Sequence, residues 1–255
     1  MKYLCFLTFA AMVVSVSSCK KSTGKSTPPN GGGKLTRIQQ GVDPDITNDT
    51  VYRIVYNAAG QIASIVDSLN QDTLTASYDA TNNLTGWRET YGTSTDFTYN
   101  GSQLTQIDQE LAGSHEQFVF SYTSNTLSRV DYNSDLGSGG GVAPQGYSII
   151  TMLNGNIGEV QVYSNGGTLL QATTFTYGSE TNYFQKISLF DVGGILGTDD
   201  IFNQLTWFNQ NLLTGSSSGG QQLTSTYSFN NADLPVRVVT NDPNAGGIYT
   251  WQFSY

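Results

Sequence analysis

The chain has two cysteines among 255 residues, Cys5 and Cys19. Cys5 lies in an apolar N-terminal run with the character of a leader, so a processed chain keeps Cys19 alone. One thiol forms no disulfide within the chain and no thiolate metal site. Histidine is scarcer still: His115 is the only one. One imidazole without a partner thiol does not supply the usual zinc donors. His115 stands in Gly113-Ser114-His115-Glu116. Adjacent residues of one strand or turn do not converge as a catalytic triad, because its members come from separate segments. Charge is also sparse, at 12% of residues, below the usual share for a soluble domain. The formal net charge is −9, and Lys2, Lys20, Lys21, Lys25, Lys34 and Arg37 crowd the first 37 positions. The remainder is therefore more acidic still. An acidic body excludes nucleic acid and an electrostatically bound anionic membrane as partners. Beyond the leader the chain also lacks the period of an amphipathic helix.

What the chain has is a repeated aromatic tripeptide. It reads Phe97-Thr98-Tyr99, Phe120-Ser121-Tyr122, Phe175-Thr176-Tyr177, Tyr227-Ser228-Phe229 and Phe253-Ser254-Tyr255, with looser copies at Ile54-Val55-Tyr56 and Ala76-Ser77-Tyr78. A large ring alternating with a small polar residue marks a strand with one packed face and one wetter face. After the second ring the text also repeats: Asn or Asp, a short polar turn, an aliphatic residue, and another aliphatic three residues on. Ile62 and Ile65, Leu104 and Ile107, and Leu127 and Val130 are such pairs. Asn, Asp and Gly reverse the chain because they tolerate positive φ, and Asn/Asp side chains bond nearby backbone. The unit is therefore a hairpin. A spacing of three breaks strand alternation. Either the first aliphatic belongs to the turn and plugs the hairpin end, or a bulge re-aims the strand; its closeness to the turn favours the plug. With degenerate copies near Leu153–Ile157 and Trp207–Leu212, eight units and a closing strand give an all-β antiparallel meander of about 16–17 strands. Such a meander curls into a large open sheet or a barrel.

The organisation follows. Residues 1–18 read as a signal peptide: Lys2, then an apolar stretch from Leu4 to Val16, too short to anchor in a bilayer. It ends in Val16-Ser17-Ser18-Cys19, which resembles the bacterial lipobox and makes Cys19 the expected lipidation site. Residues 19–36 are the lipidated cysteine and a flexible tether of Lys, Ser, Thr, Gly, Pro and Asn. The tether holds Gly24-Lys25-Ser26-Thr27, which looks like the end of a phosphate-binding loop. The leading Gly of that motif would have to be Cys19, and no strand and helix flank it, so no cofactor is expected. Residues 37–255 form one β domain, interrupted by a Gly-rich loop over 131–147 and an insertion over 191–204 with a helical turn near Ile201.

The unit spanning Tyr56 to Ile65, Tyr78 to Trp87 and Phe229 to Val238 resembles a degenerate YD (Rhs-type) repeat. Together with the lipobox, the chain is similar to uncharacterised Bacteroidota-type lipoproteins of YD-repeat character, some grouped as a domain of unknown function with a porin-like fold. The resemblance covers residues 50–255 and implies architecture, with no catalytic residues to transfer. Full Rhs proteins carry many more, stricter repeats that enclose a toxin. Here the Gly is often missing and no toxin domain follows. In lipoproteins of that lineage Asp-(Ser/Thr)-aliphatic is an O-glycosylation motif, which makes Thr50, Ser68 and Thr73 candidates.

Site chemistry is thin. Asp43, Asp45 and Asp49, or Asp199-Asp200, offer calcium-type oxygens, but neither run matches an EF-hand loop, so no metal is expected. Asp67, Asp108, Glu110, Glu159 and Asp191 are carboxylates by type alone, with nothing to pair two of them as a glycosidase requires. Rings at strict repeat positions (Tyr99, Tyr122, Tyr177) read as core. Singletons outside the motif, Trp87, Tyr91 and Tyr183, are the candidates for stacking on a ligand. The expectation is a non-catalytic envelope protein, anchored in the outer membrane by lipid on Cys19, on its periplasmic or cell-surface side. Its scaffold binds a glycan or an envelope protein. The alternatives are an extracytoplasmic hydrolase or an outer-membrane-embedded barrel, the latter motivated by the alternating rings of Tyr249–Tyr255.

Overall fold

The computed structural model describes residues 33–42, 45–69, 72–90, 92–111, 114–135, 141–184, 208–242 and 247–255. The signal peptide, Cys19 and most of the tether lie outside these residues, as do Tyr91, Ile201 and residues 191–204. The compact unit starts at Gly33, ahead of the boundary at residue 37, and Leu35 already packs into the core.

Among the described residues sixteen strands follow one another: β1 (Arg37–Val42), β2 (Asp45–Tyr56), β3 (Ile62–Asp67), β4 (Thr73–Tyr78), β5 (Leu84–Glu89), β6 (Ser94–Asn100), β7 (Gln103–Leu111), β8 (Ser114–Thr123), β9 (Thr126–Ser134), β10 (Ala143–Leu153), β11 (Asn156–Ser164), β12 (Leu169–Thr181), β13 (Asn211–Ser218), β14 (Gln221–Phe229), β15 (Pro235–Asp242) and β16 (Gly247–Ser254). Each pairs antiparallel with the next, and β1 pairs with β16, so the meander closes into a barrel. Closure leaves no sheet edge among these strands. The Gly-rich interruption is shorter than expected: β9 runs through Ser134 and β10 resumes at Ala143, where Gly146 and Tyr147 pair with Tyr132 and Asp131.

The three-residue aliphatic spacing has a cause other than a turn plug. Tyr99 pairs with Leu104 while Thr98 pairs with Gln106, so Thr105 is an extra residue. The same slip recurs at Ala63, Thr85, Ser128, Gly158, Thr214 and Val236. Strict alternation would send Leu104 and Ile107 to opposite faces. One extra residue between them turns both inward, and both are 1% exposed. The hydroxyls of Thr105 and Ser128 donate to the carbonyls of Thr98 and Ser121, at 3.0 and 3.2 Å. A bulge at the same level of seven strand pairs bends each in the same sense, which curls the sheet toward closure.

The turns beside these bulges follow the sequence rule. Asn57, Asp79 and Asn230 each cap a loop by accepting a backbone N–H four residues on. The position three residues on carries the positive φ, at Gly60, Asn82 and Asp233. Ser124-Asn125 and Asn154-Gly155 make two-residue turns with both φ values positive, as Gly219-Gly220 does at the opposite end of the barrel.

The barrel interior is filled. Ile38, Ile54, Ile65, Trp87, Phe97, Ile107, Phe120, Val130, Val160 and Trp251 belong to one continuous core. Near the bulges, ring hydroxyls cross from one unit to the one before. Tyr56, Tyr78, Tyr122, Tyr177, Tyr227 and Tyr255 donate to the carbonyls of Leu35, Ile62, Leu104, Ile157, Leu213 and Pro235. The ends of the insertion enter at this same level. Phe208 packs against Phe120 and Tyr122, and Phe184 against Phe253. Toward the opposite end the inward positions turn polar, with Thr95, Gln109, Ser134 and Ser148 buried.

Candidate functional site

Inward and outward residues alternate along each strand. On β8 to β11, Phe118 and Phe120, Val130 and Tyr132, Ser148 and Ile150, and Val160 and Val162 face the core. That leaves Gln117, Asp131, Tyr147, Gln161 and Tyr163 on the outer wall. Over most of the barrel this wall is small and hydroxylic, with Thr75, Ser77, Thr98, Ser121, Thr174 and Thr226 exposed. Across β7 to β11 it carries planar groups as well, with Val119 and Ile149 set among them.

The first part is an aromatic stack. Tyr147 and Tyr163 are paired neighbours on β10 and β11, with ring centroids 5.0 Å apart and planes 10° from parallel. The Arg129 guanidinium lies 3.9 Å from the Tyr147 ring centre, a cation–π contact. Arg129 Nε and Nη2 both donate to the Asp131 carboxylate, at 2.9 and 2.5 Å. That carboxylate raises the Arg129 pKa further above its ordinary range. The Tyr163 hydroxyl donates to Gln161 Oε1 at 2.9 Å, and Gln161 Nε2 to Glu159 at 3.0 Å. Leu169 pairs with Tyr163 on β12; it and Leu170 are exposed.

Beside the stack runs an amide–carboxylate belt. Asp108 accepts from Gln106 Nε2 at 2.6 Å and from Gln117 Nε2 at 3.0 Å. Gln117 Oε1 in turn accepts from Asn133 Nδ2 at 3.1 Å. His115 Nε2 lies 3.5 Å from Asp108, and its Nδ1 lies 3.9 Å from Glu110. These groups stand on the outer wall of the sheet. Among the described residues no cluster of His, Cys, Asp and Glu is arranged to hold a metal.

Carboxylates also face inward at the end opposite the tyrosine bonds. Glu116 accepts from the Tyr132 hydroxyl at 3.1 Å, and Asp67 pairs with Tyr52 across β2 and β3. Burial, with Asp67 adding its charge, pushes the Tyr52 phenol up to about 12.

Trp87 is 3% exposed and points into the core between Ala76 and Thr95. Its inward register takes it out of reach of a ligand at the surface. Tyr183 is half-buried next to Phe184 at the start of the insertion. Ser68 is exposed in the β3–β4 turn, Thr73 opens β4 half-buried, and Thr50 is described in its backbone alone. Of the carboxylates selected by type, Asp108 and Glu110 flank His115, Glu159 joins the stack, Asp67 faces inward, and Asp191 lies outside the described residues. Asp43 and Asp199-Asp200 do too, and Asp45 and Asp49 are described in backbone alone. The sequence does not single out the stack: Tyr147 lies within 131–147, whose glycines predict a loop. Tyr163 was readable from Val160-Gln161-Val162-Tyr163, where an aliphatic inner face puts Gln161 and Tyr163 outside.

No family model and no curated protein matches the chain. Solved structures do. A porin-like protein from Bacteroides uniformis matches with a TM-score of 0.56 at 16% identity, over 86% of this chain and 95% of that one. A porin-like protein from Bacteroides vulgatus matches with a TM-score of 0.58 at 11% identity, over 88% of this chain and 99% of that one. At these identities the likeness is one of fold: this chain has the closed antiparallel meander of the porin-like structures.

Proposed function

We propose that the chain is a non-catalytic envelope protein, anchored in the outer membrane through lipid on Cys19, whose barrel is a water-facing scaffold for a glycan or an envelope protein. The observation that carries this reading is the direction in which the barrel is filled. Its packed core is apolar, and its outer wall is mostly threonine, serine, amide and charge, with Val55, Leu169 and Leu170 scattered among them and no continuous apolar band among the described residues. A bilayer-embedded barrel needs the reverse, a continuous apolar band outside. A core of packed isoleucine, leucine and aromatic rings is no aqueous channel, so a porin-like fold here serves as a solid support. The lipobox supplies the membrane attachment that the outer wall does not.

The chain ends give the support a direction. Gly33 abuts Tyr255, and Thr36 N–H donates to the Ser254 carbonyl at 2.7 Å. Both ends of the barrel chain therefore meet at the level of the tyrosine bonds. The tether from Cys19 joins the barrel chain at that end, and the loops and inward carboxylates are at the other. The non-catalytic reading rests on the placement of His115, Asp108 and Glu110 on an open wall, where water is not excluded from a reacting group.

The test is lipid labelling with fractionation. Wild type incorporates a clickable palmitate analogue and sediments with membranes. Cys19→Ala takes up no label and is released without detergent. A Cys19→Ala chain that stays in the bilayer after carbonate washing would mean an embedded barrel and overturn the reading.

A further inference from the structure

We infer that the outer wall of β8 to β11 is a saccharide-binding face, with Tyr163 as the ring on which a sugar stacks and Gln117 as the central hydrogen-bonding group. The inference rests on the scaffold reading above and names its ligand class and place.

A pyranose presents two chemistries at once: a flat patch of C–H bonds and a rim of hydroxyls that both donate and accept. A matching receptor needs a ring face beside planar groups of both kinds. Among the described residues the outer wall carries both kinds over β7 to β11, with Gln117 on β8 three strands, about 14 Å, from Tyr163 on β11, so the ligand is a polysaccharide of several units and not a single sugar. Arg129, Tyr147 and Tyr163 form a continuous stack across three strands, with Tyr163 at its end. In the belt, Gln117 and Asn133 hold amides and Asp108 a carboxylate, each fixed by a neighbour's hydrogen bond. Groups already held in one orientation lose little freedom when a ligand binds. Gln117 Oε1 keeps a second lone pair, and the amide nitrogens of Gln117 and Asn133 each a second hydrogen, for the ligand.

Charge narrows the class. Asp108, Glu110, Asp131 and Glu159 stand on this wall against Arg129, whose guanidinium Asp131 already engages. Anionic polysaccharides are repelled, which leaves neutral or amine-bearing ones. A protein partner fits less well. Among the described residues the aliphatic surface adjoining the rings is exposed Leu169 and Leu170 with half-buried Ile149, and charged groups surround it, whereas the core of a protein interface is depleted of charge.

The experiment is native affinity electrophoresis of the detergent-solubilised full chain. The gels contain galactomannan, xyloglucan, mixed-linkage β-glucan, yeast mannan or dextran, with polygalacturonate as the anionic comparator. The expected result is retardation in at least one neutral gel and none in polygalacturonate. Tyr163→Ala and Gln117→Ala each weaken that retardation about tenfold, equivalent to about 1.4 kcal/mol. Tyr163→Phe, which keeps the ring and loses the bond to Gln161, stays within about twofold of wild type, a change of under about 0.5 kcal/mol. It covers the case in which Tyr163→Ala fails to fold. Thr226→Ala, on the outer wall of β14, changes nothing. Migration unaltered in every neutral gel overturns the inference, and so does retardation that survives both Tyr163→Ala and Gln117→Ala. Palmitate labelling and release of Cys19→Ala are read separately, so the scaffold reading stands or falls apart from this site.

Discussion

The hydroxyl of Tyr122 donates to the carbonyl oxygen of Leu104 at 2.6 Å, reaching from β8 to the bulged start of β7 in the unit before. The same bond ties five other repeat tyrosines to the preceding unit, and Tyr99 is the exception. Its hydroxyl is buried with no hydrogen-bond partner among the described residues. The two phenols therefore respond differently to loss of oxygen. Tyr122→Phe leaves a buried carbonyl short of a donor and costs about 1–3 kcal/mol. Tyr99→Phe removes an unsatisfied group and is neutral or slightly stabilising. Urea midpoints of the two variants make the comparison. Equal losses would show that the bond to Leu104 is not what the hydroxyl of Tyr122 contributes.

Thr105 tests the bulge. Thr105→Ala keeps the extra residue and loses one hydroxyl bond to Thr98, at a cost of about 1 kcal/mol. Deleting Thr105 restores strict alternation and must turn either Leu104 or Ile107 out of the core. The loss is then that of emptying a core site, about 2–5 kcal/mol. Thermal melts of the pair should separate widely. A deletion no worse than the alanine variant would mean that the bulge is not needed to bury both aliphatics.

The strand count and the interior placement of the rings were legible because alternation has a period of two and the unit recurs. Phe97 and Tyr99 on one face, with Thr98 on the other, need no tertiary information. The bulge was legible only as an irregularity. A spacing of three between Leu104 and Ile107 fits a turn plug as well as an extra residue, and the register of the paired strand decides between them. Closure was not legible at all, since it depends on β1 meeting β16 across the whole chain. The site failed for a related reason. Trp87 looked like a singleton, but its register opposite Ala76 sends it inward, while Tyr147 and Tyr163 belong to an outer face whose meaning appears only when β10 and β11 lie side by side.

Alkali is predicted to unfold the barrel. Burial pushes the phenols of Tyr52, Tyr99 and Tyr122 up to about 12. Tyr177, Tyr227 and Tyr255 are raised as well, again by burial first. In the unfolded chain these groups ionise near 10. A folded pKa raised above the unfolded one gives stability that is fully present below about pH 10. It is lost as pH climbs from there through the folded values, because the unfolded state sheds its protons first. Urea midpoints should hold steady up to about pH 10 and fall between about pH 10 and 12, with tyrosinate absorbance rising together with loss of β-sheet circular dichroism. Tyrosinate absorbance reaching its full amplitude while the fold persists would contradict the buried placement of these rings.

Asn209 joins the end of the insertion to the barrel wall. Its side-chain oxygen accepts the Ile157 N–H at 2.8 Å in a buried position, 52 residues away in sequence. The arrangement is reciprocal, since Asn156 Oδ1 accepts the N–H groups of Gln210 and Asn211, each at 2.9 Å. The residues leading out of the insertion therefore do for β11 what a neighbouring strand would otherwise do, by satisfying its first buried amide. Asn209→Ala strands that amide, costs about 1–3 kcal/mol and speeds hydrogen exchange at Ile157. Asn209→Asp keeps an acceptor and preserves protection at Ile157. If protection at Ile157 survives in Asn209→Ala, the insertion is an appendage of the barrel and not one of its supports.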